Sequence, residues 1–221
     1  MSSFRVDLDP YLDDVLAVLD DLRKEDVEEV AAWGLVPDDL PIMVTSSAVS
    51  DSNVAYLDGK PVFAWGLSKQ RDGVYALWGF GTPDTRKIIR PLTRFGKTEW
   101  LPAIFASGLV RRIEVHVPLK SSHSWSWLMW LGCKIETRLR YFGAQGEEFL
   151  LLAYTKDEAE REYPHVSLNS GEGVQPREAP AAGRTGDVGG VQPTGSSGSP
   201  GSYPNAVNAN AVNANGVRLD W

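Results

Sequence analysis

Arg111-Arg-Ile-Glu-Val-His-Val-Pro-Leu-Lys-Ser-Ser-His-Ser-Trp-Ser-Trp-Leu-Met-Trp-Leu-Gly-Cys133 is the stretch on which the reading of the fold turns. Ile113, Val115 and Val117 alternate with Arg112, Glu114 and His116, the period of a strand with one buried face, which leaves His116 on the solvent side. Pro118 ends that strand because it has no N–H to give to a ladder. Ser121 and Ser122 offer side-chain oxygens to cap a helix. Trp127, Leu128, Trp130 and Leu131 then make a broad apolar helical face, and Gly132 is placed to close it in a left-handed C-cap. A further strand from Lys134 completes a β-α-β unit. Trp127 and Leu131 are expected against the sheet, with Trp130 or Trp125 at its margin.

Working outward, Phe4, Val6 and Leu8 mark a first strand. Asp9-Pro10 opens a helix whose apolar face is Leu12, Val15, Leu16 and Leu19. Glu25 to Trp33 repeats the pattern with Val27, Val30 and Ala31, and Gly34 ends it. Asn53–Leu57 and Val62–Leu67 flank Asp58-Gly59, a hairpin signal because both turn positions tolerate positive φ. Val74–Phe80 is a third strand of this antiparallel meander, and residues 84–107 are mainly helical, with a bend expected at Pro91 or Pro102. Ile135–Phe142 and Glu148–Tyr154 supply the last strands, and a short charged helix runs from Lys156 to about Tyr163. The fold class is therefore α/β in the α+β sense: a central, mostly antiparallel sheet with helices on both faces.

Composition separates the chain into three parts. Of the eight Trp residues only Trp221 lies beyond Pro164, so the core belongs to residues 1–163. Residues 164–204 are rich in Gly, Pro and Ser and bury too little to offset chain entropy, the signature of a linker. Residues 205–221 carry a five-residue repeat, Asn205-Ala-Val-Asn-Ala, Asn210-Ala-Val-Asn-Ala and Asn215-Gly-Val-Arg-Leu, followed by Asp220-Trp221. Val207, Val212, Val217, Leu219 and Trp221 concentrate apolar side chains there, which reads either as low-complexity drift or as a docking peptide.

The net charge of −7 argues against sequence-specific nucleic-acid binding. Residues 1–40 hold twelve acids and three bases, whereas residues 86–140 hold eleven bases and three acids. Differently charged faces of one domain account for this; a basic face for an acidic partner or a phosphate is the second reading. Cys133 is the only cysteine, which excludes an internal disulfide, and its apolar neighbours suggest packing and not nucleophilic use. No apolar run long enough for a membrane span is present, and no metal-ligand spacing or Ser-His-Asp set can be assembled.

Several segments carry a family resemblance: Leu22-Arg-Lys-Glu-Asp-Val-Glu-Glu-Val-Ala-Ala-Trp-Gly34, Asp58-Gly-Lys-Pro-Val-Phe-Ala-Trp-Gly66, Leu77-Trp-Gly-Phe-Gly-Thr82 and Trp127-Leu-Met-Trp-Leu-Gly132. The strand, polar loop and glycine-closed helix resemble the C-terminal half of a GNAT-type N-acyltransferase domain. In order and spacing the segments resemble a divergent GNAT-like family, the internal virion proteins of short-tailed bacteriophages. That resemblance implies a non-enzymatic virion structural or assembly protein, an internal core or head–tail component. It further implies no cofactor, other virion proteins such as portal or core components as partners, self-association left open, and residence in the virion after synthesis in the host cytoplasm. The alternatives are an active N-acetyltransferase using acetyl-CoA and a phage protein that binds a host target.

Under the acetyltransferase alternative, the resemblance places coenzyme A against Trp78, Gly79, Gly81, Thr82, Arg86 and Ser121. A helix N-terminus there offers N–H groups to a diphosphate, but Pro83 removes one donor. The helix position that holds a proton-donating Tyr in the acyltransferases is Leu128 here. His116 and His123 remain as acid–base candidates, and no catalytic residue is assigned.

Overall fold

The computed structural model describes residues 3–45 and 51–164. The linker, all but its first residue, and the repeat tail lie outside these residues, and with them the docking candidates Val207, Val212, Val217, Leu219 and Trp221.

In chain order the elements are β1 (Phe4–Asp7), α1 (Leu12–Leu19), α2 (Lys24–Ala32), α3 (Leu40–Thr45), β2 (Asp51–Leu57), β3 (Lys60–Arg71), β4 (Val74–Gly81), α4 (Thr85–Phe95), α5 (Leu101–Ala106), β5 (Arg112–Pro118), α6 (Ser122–Leu131), β6 (Lys134–Leu139), β7 (Phe149–Thr155) and α7 (Lys156–Glu162). The seven strands form one sheet in the order β1-β2-β3-β4-β5-β7-β6. Every neighbouring pair is antiparallel except β4–β5. The β2–β3 hairpin turns at Asp58 and Gly59, both at positive φ as the sequence predicts.

The sheet is covered on both faces. One cluster joins Val15, Val18, Leu19, Val30 and Leu40 of the first three helices to Val54, Tyr56, Ala64, Trp78 and Phe80. The larger cluster joins Ile88, Leu92, Phe105, Leu128 and Leu131 to Phe63, Trp65, Ile113, Val115, Leu152 and Tyr154. Each fully buried large apolar side chain contributes about 1.5–3 kcal/mol of transfer free energy, so these two clusters hold the helices to the sheet. Cys133 is buried among them, and burial pushes its thiol up to about 12, in line with a packing role.

Five local expectations need correction. The expected β-α-β unit does not place β6 beside β5, because β7 inserts between them, antiparallel to both. The reason lies in composition: Phe149-Leu-Leu-Leu-Ala-Tyr is nearly all apolar and suits a strand covered on both faces. Lys134-Ile-Glu-Thr-Arg is exposed throughout and takes the edge. His116 is buried and not solvent-facing; its ring stacks on Phe142 and meets Trp33 edge-on. Burial lowers its pKa to about 4.

On α6 the buried residues are Leu128 and Leu131, while Trp127 is half-buried and Trp130 is 71% exposed. Helix α1 begins at Leu12, with Tyr11 and not Pro10 at its boundary. The irregularity in residues 84–107 falls at a π-helical turn, Gly96–Trp100, between the two prolines.

Gly132 does cap α6 in the left-handed region, at φ 110°. A Cβ there would lie 2.6 Å from Cε2 of Tyr154. Gly132→Ala therefore combines backbone strain with a clash into the core, and is expected to lower stability by about 1–3 kcal/mol in urea unfolding. An unchanged midpoint would show that the Tyr154 ring yields freely.

Candidate functional site

β4 and β5 pair through Val74↔Arg112, Tyr75↔Ile113 and Ala76↔Glu114. Beyond that point β4 stays with β3 as far as Gly81↔Phe63, and β5 stays with β7 as far as Pro118↔Phe149. The two strands consequently part inside the sheet and leave a cleft with unpaired edges. Together with the solvent-open space at its mouth it spans ≈ 690 Å³ that no protein atom fills. Its walls are overwhelmingly apolar, with Phe63, Trp65, Phe95, Trp100 and Trp127 prominent, and α2 adds Arg23, Asp26 and Glu29.

Helix α2 stitches the mouth of the cleft. The N–H of Arg23 donates to the carbonyl of Gly81 at 2.8 Å, and the N–H of Gly81 donates to Oδ2 of Asp26 at 2.6 Å. Asp26 also pairs with the Arg23 guanidinium at 2.8 Å. Burial pushes the Asp26 carboxyl upward, while Arg23 and the Gly81 N–H pull the other way. The N–H of Thr82 goes to Val62 on the opposite side, so by ladder alternation Gly79 turns its N–H and C=O toward the cleft as Gly81 does.

Glu29 lies one helical turn further along α2 and is only 2% exposed. Its carboxylate accepts the Ser124 hydroxyl at 2.5 Å, and Nε2 of His123 stands 3.8 Å away. Ser121, also buried, donates to it as well. Burial, then the neighbouring Asp26 charge, raise its pKa to about 7, against the bonds from Ser124 and Ser121 and the charge of Arg23. A carboxylate poised near neutrality in a cleft is a group able to take and release a proton at working pH. Nε of Arg23 and Nε1 of Trp78 are buried donors without an acceptor among the described residues, and both residues line the same cleft.

The residues expected to hold coenzyme A have mixed fates. Trp78 and Gly79 line the cleft, and Ser121 reaches it through Glu29. Gly81 and Thr82 are buried with their N–H groups already committed, and Arg86 is exposed with Nε donating to the Pro83 carbonyl. Leu128 lines the cleft and brings no proton. His116 lies in an aromatic cluster with Trp33 and Phe142, while His123 does approach Glu29.

The sequence reading missed Asp26 and Glu29, because it placed the apolar stripe of α2 at Val27, Val30 and Ala31. The structure exposes Val27 and Ala31 and turns Asp26, Glu29, Val30 and half-buried Trp33 inward. Those positions are i, i+3, i+4 and i+7, so the signal was a stripe anchored by the largest side chain with two acids in it.

No protein-family model and no curated protein sequence matches the chain. Solved structures do resemble it. The aminoglycoside acetyltransferase AAC(6')-Ib in complex with coenzyme A is 15% identical with a TM-score of 0.52, covering 72% of this chain and 98% of that one. The same enzyme with ribostamycin and coenzyme A gives 14% and 0.53, over 72% and 97%. The ribosomal-protein-S5-alanine acetyltransferase from Vibrio fischeri gives 12% and 0.50, over 71% and 97%. The chain has the GNAT fold, as expected. The expectation of a non-enzymatic virion structural protein is corrected by the same finding, since these structures are acetyltransferases and two of them hold coenzyme A.

Glu29 also leaves a mark on stability. Its folded pKa stands above its ordinary value of 4.5, so between there and about 7 the folded state binds the extra proton, and stability falls as pH rises through that window. Glu29→Gln removes this slope. Relative to the parent, the variant is expected to gain roughly 2–3 kcal/mol between pH 5 and pH 8. Parallel pH profiles in urea unfolding would mean that Glu29 is hydrated and ordinary.

Proposed function

We propose that the protein is an N-acyltransferase, moving an acyl group from a thioester held in the β4–β5 cleft to an amine arriving from the α2 side. The observation that carries this reading is Glu29: a buried carboxylate with a pKa near 7, hydrogen-bonded by Ser124, in the wall of an apolar cleft. The coenzyme A complexes of similarly folded acetyltransferases support the thioester as donor.

A bound acyl thioester supplies an activated carbonyl and a thiolate leaving group. The free edge of β4 at Gly79 suits the amides of an extended arm, as a strand edge accepts an added chain, and the aromatic walls exclude water from it. Glu29, ionised above about pH 7, takes the proton of the attacking amine as nitrogen bonds to the carbonyl carbon and the carbon–sulfur bond breaks. Ser124 and Ser121 fix the carboxylate, and His123 offers the proton an exit toward solvent. The unpartnered N–H groups of Arg23 and Trp78 are donors for negative charge developing on the carbonyl oxygen. Leu128 gives the departing thiolate no proton, so that proton comes from the solvent at the open end of the cleft. The acid-rich segment 1–40 favours a cationic acceptor, and the base-rich segment 86–140 an anionic donor.

Thiol release from acetyl-CoA with an aminoglycoside or an alanine-terminated peptide as acceptor tests the reading. The rate should rise with pH through about 7, as Glu29 loses its proton. Glu29→Gln should lower kcat by about 10²–10³-fold with the donor KM little changed, the usual worth of a general base. An unchanged kcat in that variant removes Glu29 from the chemistry, and no thiol release with any amine overturns the function.

A further inference from the structure

The segment Gly79-Phe-Gly81-Thr-Pro83-Asp84-Thr85 leads into the start of α4, where the resemblance to the acyltransferases sets a donor's diphosphate, yet its geometry is closed to an anion. A Cβ on Gly79 would lie 3.0 Å from Cζ of Phe63, and one on Gly81 would lie 2.3 Å from Oγ1 of Thr85 and 3.0 Å from Phe63. The space that these glycines free is therefore filled by the Phe63 ring and the Thr85 side chain.

The N–H groups of residues 81–85 are spent as well. Gly81 donates to Asp26, Thr82 to the Val62 carbonyl, Asp84 to the Thr82 hydroxyl and Thr85 to the Thr82 carbonyl, and Pro83 has none. Asp26 itself places a carboxylate where a second anion would have to bind. Arg86 and Lys87 are exposed and turned to Pro83 and Asp84, at 3.1 and 2.8 Å. Deeper in, the cleft keeps its apolar walls and the edge of Gly79.

Given the acyltransferase reading, on which this rests, we infer that the donor is recognised by its pantetheine arm and not by its diphosphate. The substrate class is acyl-pantetheine thioesters, whatever the arm is attached to. The phosphates of coenzyme A meet only the diffuse positive charge of α4, a contribution that salt removes.

Trp65, Trp78, Trp100 and Trp127 line the cleft, so intrinsic fluorescence of the full chain reports its occupancy. Titration with pantetheine and with coenzyme A, at about 0.05 M and about 0.5 M NaCl, separates arm from phosphates because screening is nearly complete at the higher salt. In high salt the two dissociation constants are expected to agree within about tenfold, whereas a cradle of two charge-assisted bonds would separate them by about 100-fold or more. A gap larger than tenfold in high salt overturns the inference, as does the absence of a fluorescence change with either ligand. Acetyl-pantetheine and acetyl-CoA are then compared as donors in thiol release. Similar binding with no release from either sinks the acyltransferase reading and leaves the recognition of the arm standing.

Discussion

The structure depends on two hydrogen bonds at Gly81. A parallel pair of strands that separates partway exposes backbone edges inside the protein, where an unmet N–H or C=O costs about 1–3 kcal/mol. Here the N-terminal turn of α2 meets both groups of Gly81, through the main chain of Arg23 and the side chain of Asp26. This fixes α2 across the mouth of the cleft, sets the phase of the helix and carries Glu29 to the wall. The Arg23–Asp26 pair is 2.8 Å long and almost fully buried on the aspartate side. Removing either partner would leave an uncompensated charge, which is why the rest of the arrangement stands or falls with it.

The two halves of α2 are governed by different contacts. Its start is tied to β4, while its end is set by Trp33, which packs edge-on against Phe142 and Phe149. Both ties demand the same rotation of the helix, with Val27 turned outward. Burying two acids in place of a valine and an alanine lowers stability, and natural sequences retain such a choice where the group has a task. The task proposed for Glu29 agrees with the burial that raises its pKa, because one cause accounts for both.

Much of the architecture was legible in the residues. The alternation at Ile113–Val117, Asp58-Gly59 between two strands and Gly132 after an apolar helix each state a local geometry that tertiary contacts did not override. Strand order was not legible, since β5, β6 and β7 have no local signal for who pairs with whom; the apolar run Phe149–Tyr154 was the clue that β7 is interior. The candidate site was half visible. Gly79 and Trp78 do face the cleft, but the room that Gly79 and Gly81 leave is taken by Phe63 and Thr85, which no local pattern announces. His116 was misplaced because both faces of β5 are covered, which a one-sided alternation cannot reveal. Asp26 and Glu29 were missed because hydrophobic periodicity discounts the very residues that a site buries.

The edge strand β6 has a bearing on how the protein survives in a crowded solution. Lys134, Glu136 and Arg138 project from it and are paired to Glu158, Arg112 and Glu148. These clasps hold a charged strand over its neighbour, and a charged edge is a poor template for another sheet. Beside it in the sheet lies Phe149-Leu-Leu-Leu-Ala-Tyr154, a run with no charge, no proline and no glycine, the composition of a segment that self-associates when bared. β6 thus acts as a gatekeeper. Its clasps lie at the surface and screening weakens them, so the margin between a discrete molecule and an aggregating one narrows as ionic strength rises.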